Sequence, residues 1–207
     1  MGLKERRARE KEARRRQIVD AARSLLFQEG LQATSINQIA KQAELAVGTI
    51  YFYYSSKEDL FAELQEEGLH LLIESIRANV SDAGDPMEQL TSMAMAYYNF
   101  SREQKDYFDV INYFLSSRDI LLSPDLKQRV DAKIGEILAQ IESVLSRMRT
   151  GQDGGTSGLE SRGALFLAAL HGLMQLQKFE NTVFKGMPHR ELYRGAVKNL
   201  IKGLGAR

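Results

Sequence analysis

An all-α fold is what this sequence predicts: three short helices at the front and a larger helical body behind, about nine helices together. Apolar residues recur at three- and four-residue spacing along most of the chain, as in helices with one buried face. Only three prolines occur among 207 residues, so little interrupts those runs. The breaks that do occur carry cap and turn residues: Glu29-Gly30, Asp82-Ala83-Gly84-Asp85-Pro86, Ser123-Pro124-Asp125 and a glycine-rich stretch at 151–158. A chain of this length suits one or two domains with a sizeable core.

The first helix is expected from about Arg14 to Gln28, burying Ile18, Ala21, Ala22, Leu25 and Leu26. Glycine at position 30 then caps its end. From Ile36 to Ala43 apolar residues stand at 36, 39, 40 and 43, a helical spacing. Val47 to Tyr54 is a short aromatic-rich helix with Gly48 in its first turn. About three residues separate the two, the length of the turn in a helix-turn-helix, whose second helix enters the DNA major groove. Ser55-Ser56-Lys57-Glu58-Asp59 reads as an N-cap and acidic first turn opening the next helix.

Spacing alone fits any small helical domain with tight turns. The expected surface is what points to DNA. The apolar stripe of the second helix runs Val47, Ile50, Tyr51, Tyr54, which turns Thr49, Phe52 and Tyr53 outward. An outward aromatic on a short helix is costly in water unless it meets something. Thr34 and Ser35 open the preceding helix, where hydroxyls cap and terminal amides can hold a phosphate. A net charge of +1 conceals an asymmetry: residues 1–16 hold eight Lys/Arg against three Glu. Such a run is either a solvated tail or an arm adding phosphate contacts. Arg14, Arg15 and Arg16, which adjoin the first helix, are assigned to DNA.

Helix four is expected over about 56–80, roughly 36 Å long, either a lever shared by two domains or simply a long core helix. Helices five and six cover about 87–102 and 104–117. Residues 97–114 hold seven of the chain's 17 aromatics. Aromatics at this spacing fill a core or line an adaptable cavity. In the second case Met93, Tyr97, Phe108, Ile111, Leu115 and Phe166 are apolar walls, and Asn112, His171 and Gln175 orient a small apolar or aromatic effector. Helix seven is expected over 124–149. The following glycines have no preceding strand and no Gly-Lys-Ser/Thr ending, so they are not a phosphate loop. Helix eight, about 159–180, is apolar on every side from Gly163 to Met174 except at His171, so it is expected to be covered on both faces. Helix nine, 188–204, repeats Leu192, Tyr193, Ala196, Val197, Leu200, Ile201 and Leu204. Two copies of these helices would form a four-helix homodimer interface through Ala164, Ala168, Gly172, Val197, Leu200 and Ile201. The alternative is a monomer with helix eight at its centre.

TSINQIA from Thr34 to Ala40, followed by AxxxVGTIYFYYxSKEDL to Leu60, resembles the DNA-binding domain of the TetR family (TetR/AcrR type). The likeness covers roughly residues 14–62, in one unbroken register. It departs at Glu44-Leu45-Ala46, where the family often has Gly-Val-Ser, and at Tyr54, where phenylalanine is usual. The resemblance implies that Thr49, Tyr53, Val47 and Asn37 approach bases, while Thr34, Ser35, Tyr51 and Lys57 hold phosphates. Phe52 meets a thymine methyl or a sugar, and Gly48 belongs to the same surface. It further implies a basic arm at 1–13, a DNA-binding domain at 14–60 and a ligand-binding and dimerisation domain at 61–207. The function implied is a repressor, homodimeric on a pseudo-palindromic double-stranded operator and released by an effector.

Other chemistry finds no residues to carry it. Cysteine is absent, which removes disulfides and thiolate chemistry. His70, His171 and His189 share no metal-ligand spacing, and no nucleophile elbow is present, so no catalytic residue, metal or cofactor is assigned. No window reaches the ~18 consecutive apolar residues of a membrane span, and the charged first residues lack a secretory pattern; a cytoplasmic protein is expected. Two other functions stay open: a DNA-binding dimer without a ligand, and a helical small-molecule-binding enzyme.

Overall fold

The computed structural model describes residues 2–80, 84–116, 122–148 and 159–205, and among them no strand occurs. Helix α1 spans Leu3–Glu29, α2 Ile36–Gln42, α3 Val47–Tyr53, α4 Lys57–Asn79 and α5 Pro86–Glu103. Helix α6 spans Lys105–Ser116, α7 Pro124–Arg147, α8 Leu159–Gln175 and α9 His189–Gly205. A 3₁₀ turn over Leu176–Phe179 takes the place of the last turn expected of α8. The larger difference is at the front, where α1 begins at Leu3 rather than near Arg14. Residues 3–16 are mostly Lys, Arg, Glu and Ala, all good helix formers. The Gly2 N–H donates to Glu5 Oε2 at 3.1 Å. Arg6 pairs with Glu10 at 2.8 Å and Arg16 with Glu12 at 3.9 Å, both one turn apart. The glycine-rich stretch 151–158 and the turn residues Asp82 and Ala83 lie outside the described residues.

Contacts group the chain into two units: Met1–His70 with Gln104–Ala132, and Leu71–Glu103 with Lys133–Arg207. This differs from the division at residue 60 expected from the sequence, because α6 and the start of α7 join the first three helices. Ile18, Leu26, Ile39, Ile50, Leu60 and Leu64 share one core with Val110 of α6. Helix α6 packs close against α4 at Gly68, where an added Cβ would stand 3.1 Å from Tyr107 Cβ. Acidic residues one turn apart on α4 add polar ties. Glu63 accepts from Arg15 of α1 and, at 2.9 Å, from Arg129 of α7. Glu67 accepts from Arg23 of α1 at 2.6 and 3.0 Å and from the Tyr107 hydroxyl at 3.0 Å. Buried Asp59 accepts the Ser123 N–H at 2.9 Å. Each carboxylate thus faces α6 or α7, and two of them face α1 as well.

In the second unit α5, α8 and α9 pack together. The buried Tyr193 hydroxyl donates to the Ala94 carbonyl at 2.9 Å. His189 Nε2 lies 2.8 Å from the Leu173 carbonyl and its ring stacks on Tyr98, a structural histidine. Gly163 lets α8 approach α7: an added Cβ would stand 2.9 Å from Glu142 Cγ. One expectation for the dimer face is corrected here. Val197 and Ile201 are each 1% exposed, so the apolar stripe of α9 is consumed within the chain. Helix α8 is covered on one face by its own chain, while Ala164, Ala168 and Gly172 are exposed and Leu165 is 55% exposed.

Candidate nucleic-acid interface

The α2–turn–α3 segment is set by its caps. Ser35 Oγ accepts the Gln38 N–H at 3.3 Å, and Gln38 Oε1 accepts the Ser35 N–H at 2.9 Å, a reciprocal capping box. At the other end of α2 the chain reverses through Glu44, whose φ is 53°. The Glu44 N–H donates to the Lys41 carbonyl at 3.1 Å and the Leu45 N–H to the Ala40 carbonyl at 2.8 Å. These are the two bonds of a Schellman motif, which favours glycine where this chain has glutamate. Holding a side chain in that left-handed conformation costs about 1–2 kcal/mol. Leu45 packs on the core and limits where α3 can begin. Helix α3 starts without a side-chain cap, as Ala46 requires, and the Thr49 N–H reaches the Ala46 carbonyl at 2.8 Å.

Ile50 is the one fully buried residue of α3, and Tyr54, just past its end, is buried as well. Phe52 is 78% exposed and Tyr51 53%. Val47 and Gly48 are exposed, Asn37 is exposed on α2, and Thr49 and Tyr53 are half-buried. Val47 and Tyr51 therefore leave the buried stripe expected of them, and Tyr53 packs against the core in their stead. Residues 50, 53 and 54 follow a three-four spacing, whereas 51 lies a quarter-turn away from 50. Thr34 also departs from expectation: it is 1% exposed and its hydroxyl donates to the Gly30 carbonyl at 2.9 Å, so its one hydroxyl hydrogen is not available to a phosphate. Nothing lies within 4 Å of a Cβ added at Gly48, so no packing within the protein asks for glycine there.

Lys57 opens α4 behind the Ser56 cap, whose Oγ accepts the Asp59 N–H at 3.0 Å. The Lys57 ammonium stands 4.9 Å over the Phe61 ring, and partial burial lowers its pKa from the ordinary lysine value. The three arginines separate. Arg14 is exposed and donates to Gln17 at 2.7 Å, and Arg16 is exposed beside Glu12. Arg15 is bound inward to Glu63, with its guanidinium 5.3 Å over the Tyr54 ring, so its role is to brace α1 against α3 and α4. The buried Tyr54 hydroxyl makes no hydrogen bond among the described residues. Burial, and then the Glu63 carboxylate, push that phenol up to about 12. The bracing of Arg15 by Glu63, 48 residues away, has no local signal in the sequence.

The candidate effector residues fall in two groups. Phe108, Ile111, Asn112 and Leu115 belong to the first unit and Met93, Tyr97, Phe166, His171 and Gln175 to the second. Leu115 is 52% exposed, one residue before α6 ends, and is not a buried wall. Asn112 lines a groove of about 480 Å³ with Gly30, Leu31 and Tyr113. Met93 lines another, about 580 Å³, with Ile76, Gln89, Val144 and Arg147. Tyr97, His171 and Gln175 are brought together in a polar chain. The Tyr97 hydroxyl lies 2.9 Å from His171 Nδ1, and His171 Nε2 lies 3.5 Å from the Gln175 carboxamide. Burial raises the Tyr97 pKa and lowers that of His171, so a phenol hydrogen donated to a neutral ring is the favoured arrangement. The ring hydrogen then sits on Nε2, so the Gln175 amide, whose nitrogen stands 3.5 Å away, must turn to offer its oxygen instead. Among the described residues no His/Asp/Glu cluster could hold a metal ion, and no helix is long and apolar enough to cross a membrane.

Known proteins share both the segment and the fold. Residues 18–64 match the family model described as "Bacterial regulatory proteins, tetR family". The fatty acid metabolism regulator protein of Bacillus subtilis (strain 168) is 28% identical over 134 residues, 65% of each chain. This chain thus spans just under two thirds of that relative's length. Transcriptional regulator FadR from Bacillus subtilis, solved in complex with stearoyl-CoA, superposes with a TM-score of 0.65 at 19% identity, covering 90% of this chain and 97% of that one. AibR, solved in complex with isovaleryl coenzyme A and operator DNA, gives 0.64 at 18% identity over 91% and 98%. At such identities the two structures show the shared fold.

Proposed function

Because this chain belongs to the TetR family of bacterial transcriptional regulators, which are not enzymes, we propose that it is a ligand-controlled repressor. In this reading it binds a pseudo-palindromic operator as a homodimer and lets go when an effector occupies the second unit. One observation carries the DNA reading. A seven-residue helix anchored by Ile50 presents Tyr51 and Phe52 to solvent, where water leaves an aromatic face uncompensated. Thr49, Tyr53, Val47 and Asn37 then read base edges, and Phe52 covers a thymine methyl or a sugar. Ser35, Tyr51, Lys57, Arg14 and Arg16 hold phosphates, and Gly48 lets the duplex backbone come close.

The homodimer is supported by the exposed small-residue face of α8 at Ala164, Ala168 and Gly172, with half-buried Leu200 of α9 as a further contact. For the effector, Met93 and Phe166 supply apolar surface and Tyr97, His171 and Gln175 the orienting polar groups. A fatty acid metabolism regulator among the relatives and a stearoyl-CoA complex among the structural neighbours favour a ligand with an acyl chain. Helix α4 carries Lys57 at one end and enters the second unit after His70, so one helix contributes residues to both units. The effector weakens DNA binding only as far as it prefers the form that does not fit the operator, typically by about 5- to 150-fold. Selection from random duplexes should enrich two-fold symmetric sites with half-sites about 34 Å apart, or a multiple of that. Lys57→Ala should weaken every enriched site alike, while Thr49→Ala or Tyr53→Ala should change which sites win. Enrichment of isolated, asymmetric half-sites would exclude the two-fold reader.

A further inference from the structure

Helix α1 carries one uninterrupted three-four repeat at positions 4, 7, 11, 14, 18, 21, 22 and 25. At 3.6 residues per turn these positions fall within a sector of about 100°. The later members are Ile18, Ala21, Ala22 and Leu25, all buried in the core of the first unit. The earlier members are Lys4, Arg7, Lys11 and Arg14, all exposed. The inward face of α1 therefore continues, beyond the core, as a stripe of four cations. The three carboxylates of this segment are engaged elsewhere. Glu5 accepts the Gly2 N–H, Glu10 pairs with Arg6, and Glu12 pairs with Arg16. The root of the arm is held beside the reading helix: Gln17 donates to the Ala43 carbonyl at 2.7 Å, and Arg15 lies over Tyr54, the residue after α3.

We propose that this helical arm is a second DNA-contacting element, with Lys4, Arg7 and Lys11 extending the Arg14 contact along the phosphate backbone of the duplex that α3 occupies. The inference rests on the DNA-binding reading above. Duplex DNA carries one charge per about 1.7 Å of axis, and the stripe sets four cations along roughly 15 Å. Contacts of this kind add affinity without reading sequence. An anionic lipid surface is the other extended polyanion. The stripe offers no Trp, Phe or Leu to insert between lipids, and its root lies at α3, so DNA is the occupant the observations favour.

The test compares two variants of equal charge in the full-length protein. One is Arg7→Gln with Lys11→Gln on the stripe, and the other is Arg6→Gln with Arg9→Gln on the opposite side. Binding to a mixed-sequence 30-base-pair duplex is measured across a salt series, with helix content checked by circular dichroism. The stripe variant should flatten the log–log salt slope by about 1.8, roughly 0.9 per lost phosphate contact, and weaken binding at least tenfold at 0.1 M salt. The opposite-side variant should change the slope by less than half of that. Equal effects from the two variants would overturn the oriented stripe in favour of a diffuse charge cloud. An unchanged slope in the stripe variant, with loss only of adsorption to phosphatidylglycerol vesicles, would overturn the DNA assignment and identify a membrane arm. A wild-type protein that binds no duplex would instead overturn the DNA-binding reading itself.

Discussion

Gly48 is where the interests of the fold and of the site diverge. Within a helix glycine costs up to about 0.5–1 kcal/mol relative to alanine, because more backbone freedom is lost. Its φ is not in the left-handed region, and a Cβ there would meet nothing within 4 Å. The fold alone would be served better by alanine. Gly48→Ala should therefore raise the urea midpoint, by up to about 0.5–1 kcal/mol of stability, while lowering affinity for operator DNA. If affinity stayed the same while stability rose, the duplex does not approach the helix at this residue. Glu44 shows the opposite kind of residue, one whose strain remains inside the fold while the backbone bonds of the turn are satisfied.

At the scale of elements, the acidic edge of α4 ties the reading unit together. Glu63, 16% exposed at its side chain, faces both Arg15 of α1 and Arg129 of α7. Removing its charge leaves part-buried Arg15 short of its carboxylate, while Arg129 keeps Glu66 at 3.4 Å and Asp125 at 3.7 Å. Hydrogen bonds to charged groups contribute about 1.5–3 kcal/mol each when buried, and solvent reduces that here. Glu63→Gln should destabilise the protein by roughly 1–3 kcal/mol in urea unfolding. A change below about 0.3 kcal/mol would show that water already screens the cluster. The same variant should loosen α1 against α3, since Arg15 braces Tyr54 only while Glu63 holds it.

For the whole molecule, the exposed face of α8 is the feature that a single chain does not explain. Ala164, Ala168 and Gly172 stand one turn apart with Leu165 beside them, and small residues let helices approach closely. Ala168→Arg should convert the proposed homodimer to monomer in light scattering, because a close helix contact would bury an unpaired charge. A monodisperse dimer of that variant would place the interface elsewhere. Loss of the proposed dimer should lower operator affinity, since two linked readers on one site would act at high effective concentration.

The sequence by itself determined the helical class and the α2–turn–α3 segment. These rest on local causes: three-four spacing about Ile36, Ile39 and Ile50, a capping box at Ser35 and Gln38, and acidic first turns. It also marked Phe52 as outward, because a residue two positions from the anchor Ile50 turns away from the core whatever packs there. Tertiary structure alone decided which of several equally apolar edges was covered. Val47 and Tyr51 flank the stripe of a seven-residue helix, and only the position of α1 and α4 leaves them exposed while Tyr53 is drawn in. Val197 and Ala168 read alike as apolar positions, yet α5 and α8 pack against the helix of the first, and the second stays exposed among the described residues. The pairing of Glu63 with Arg15 and Arg129 likewise needs residues 48 and 66 positions away. Periodicity reports that a face is apolar or charged; which neighbour satisfies it is set by long-range packing, which has no local signature.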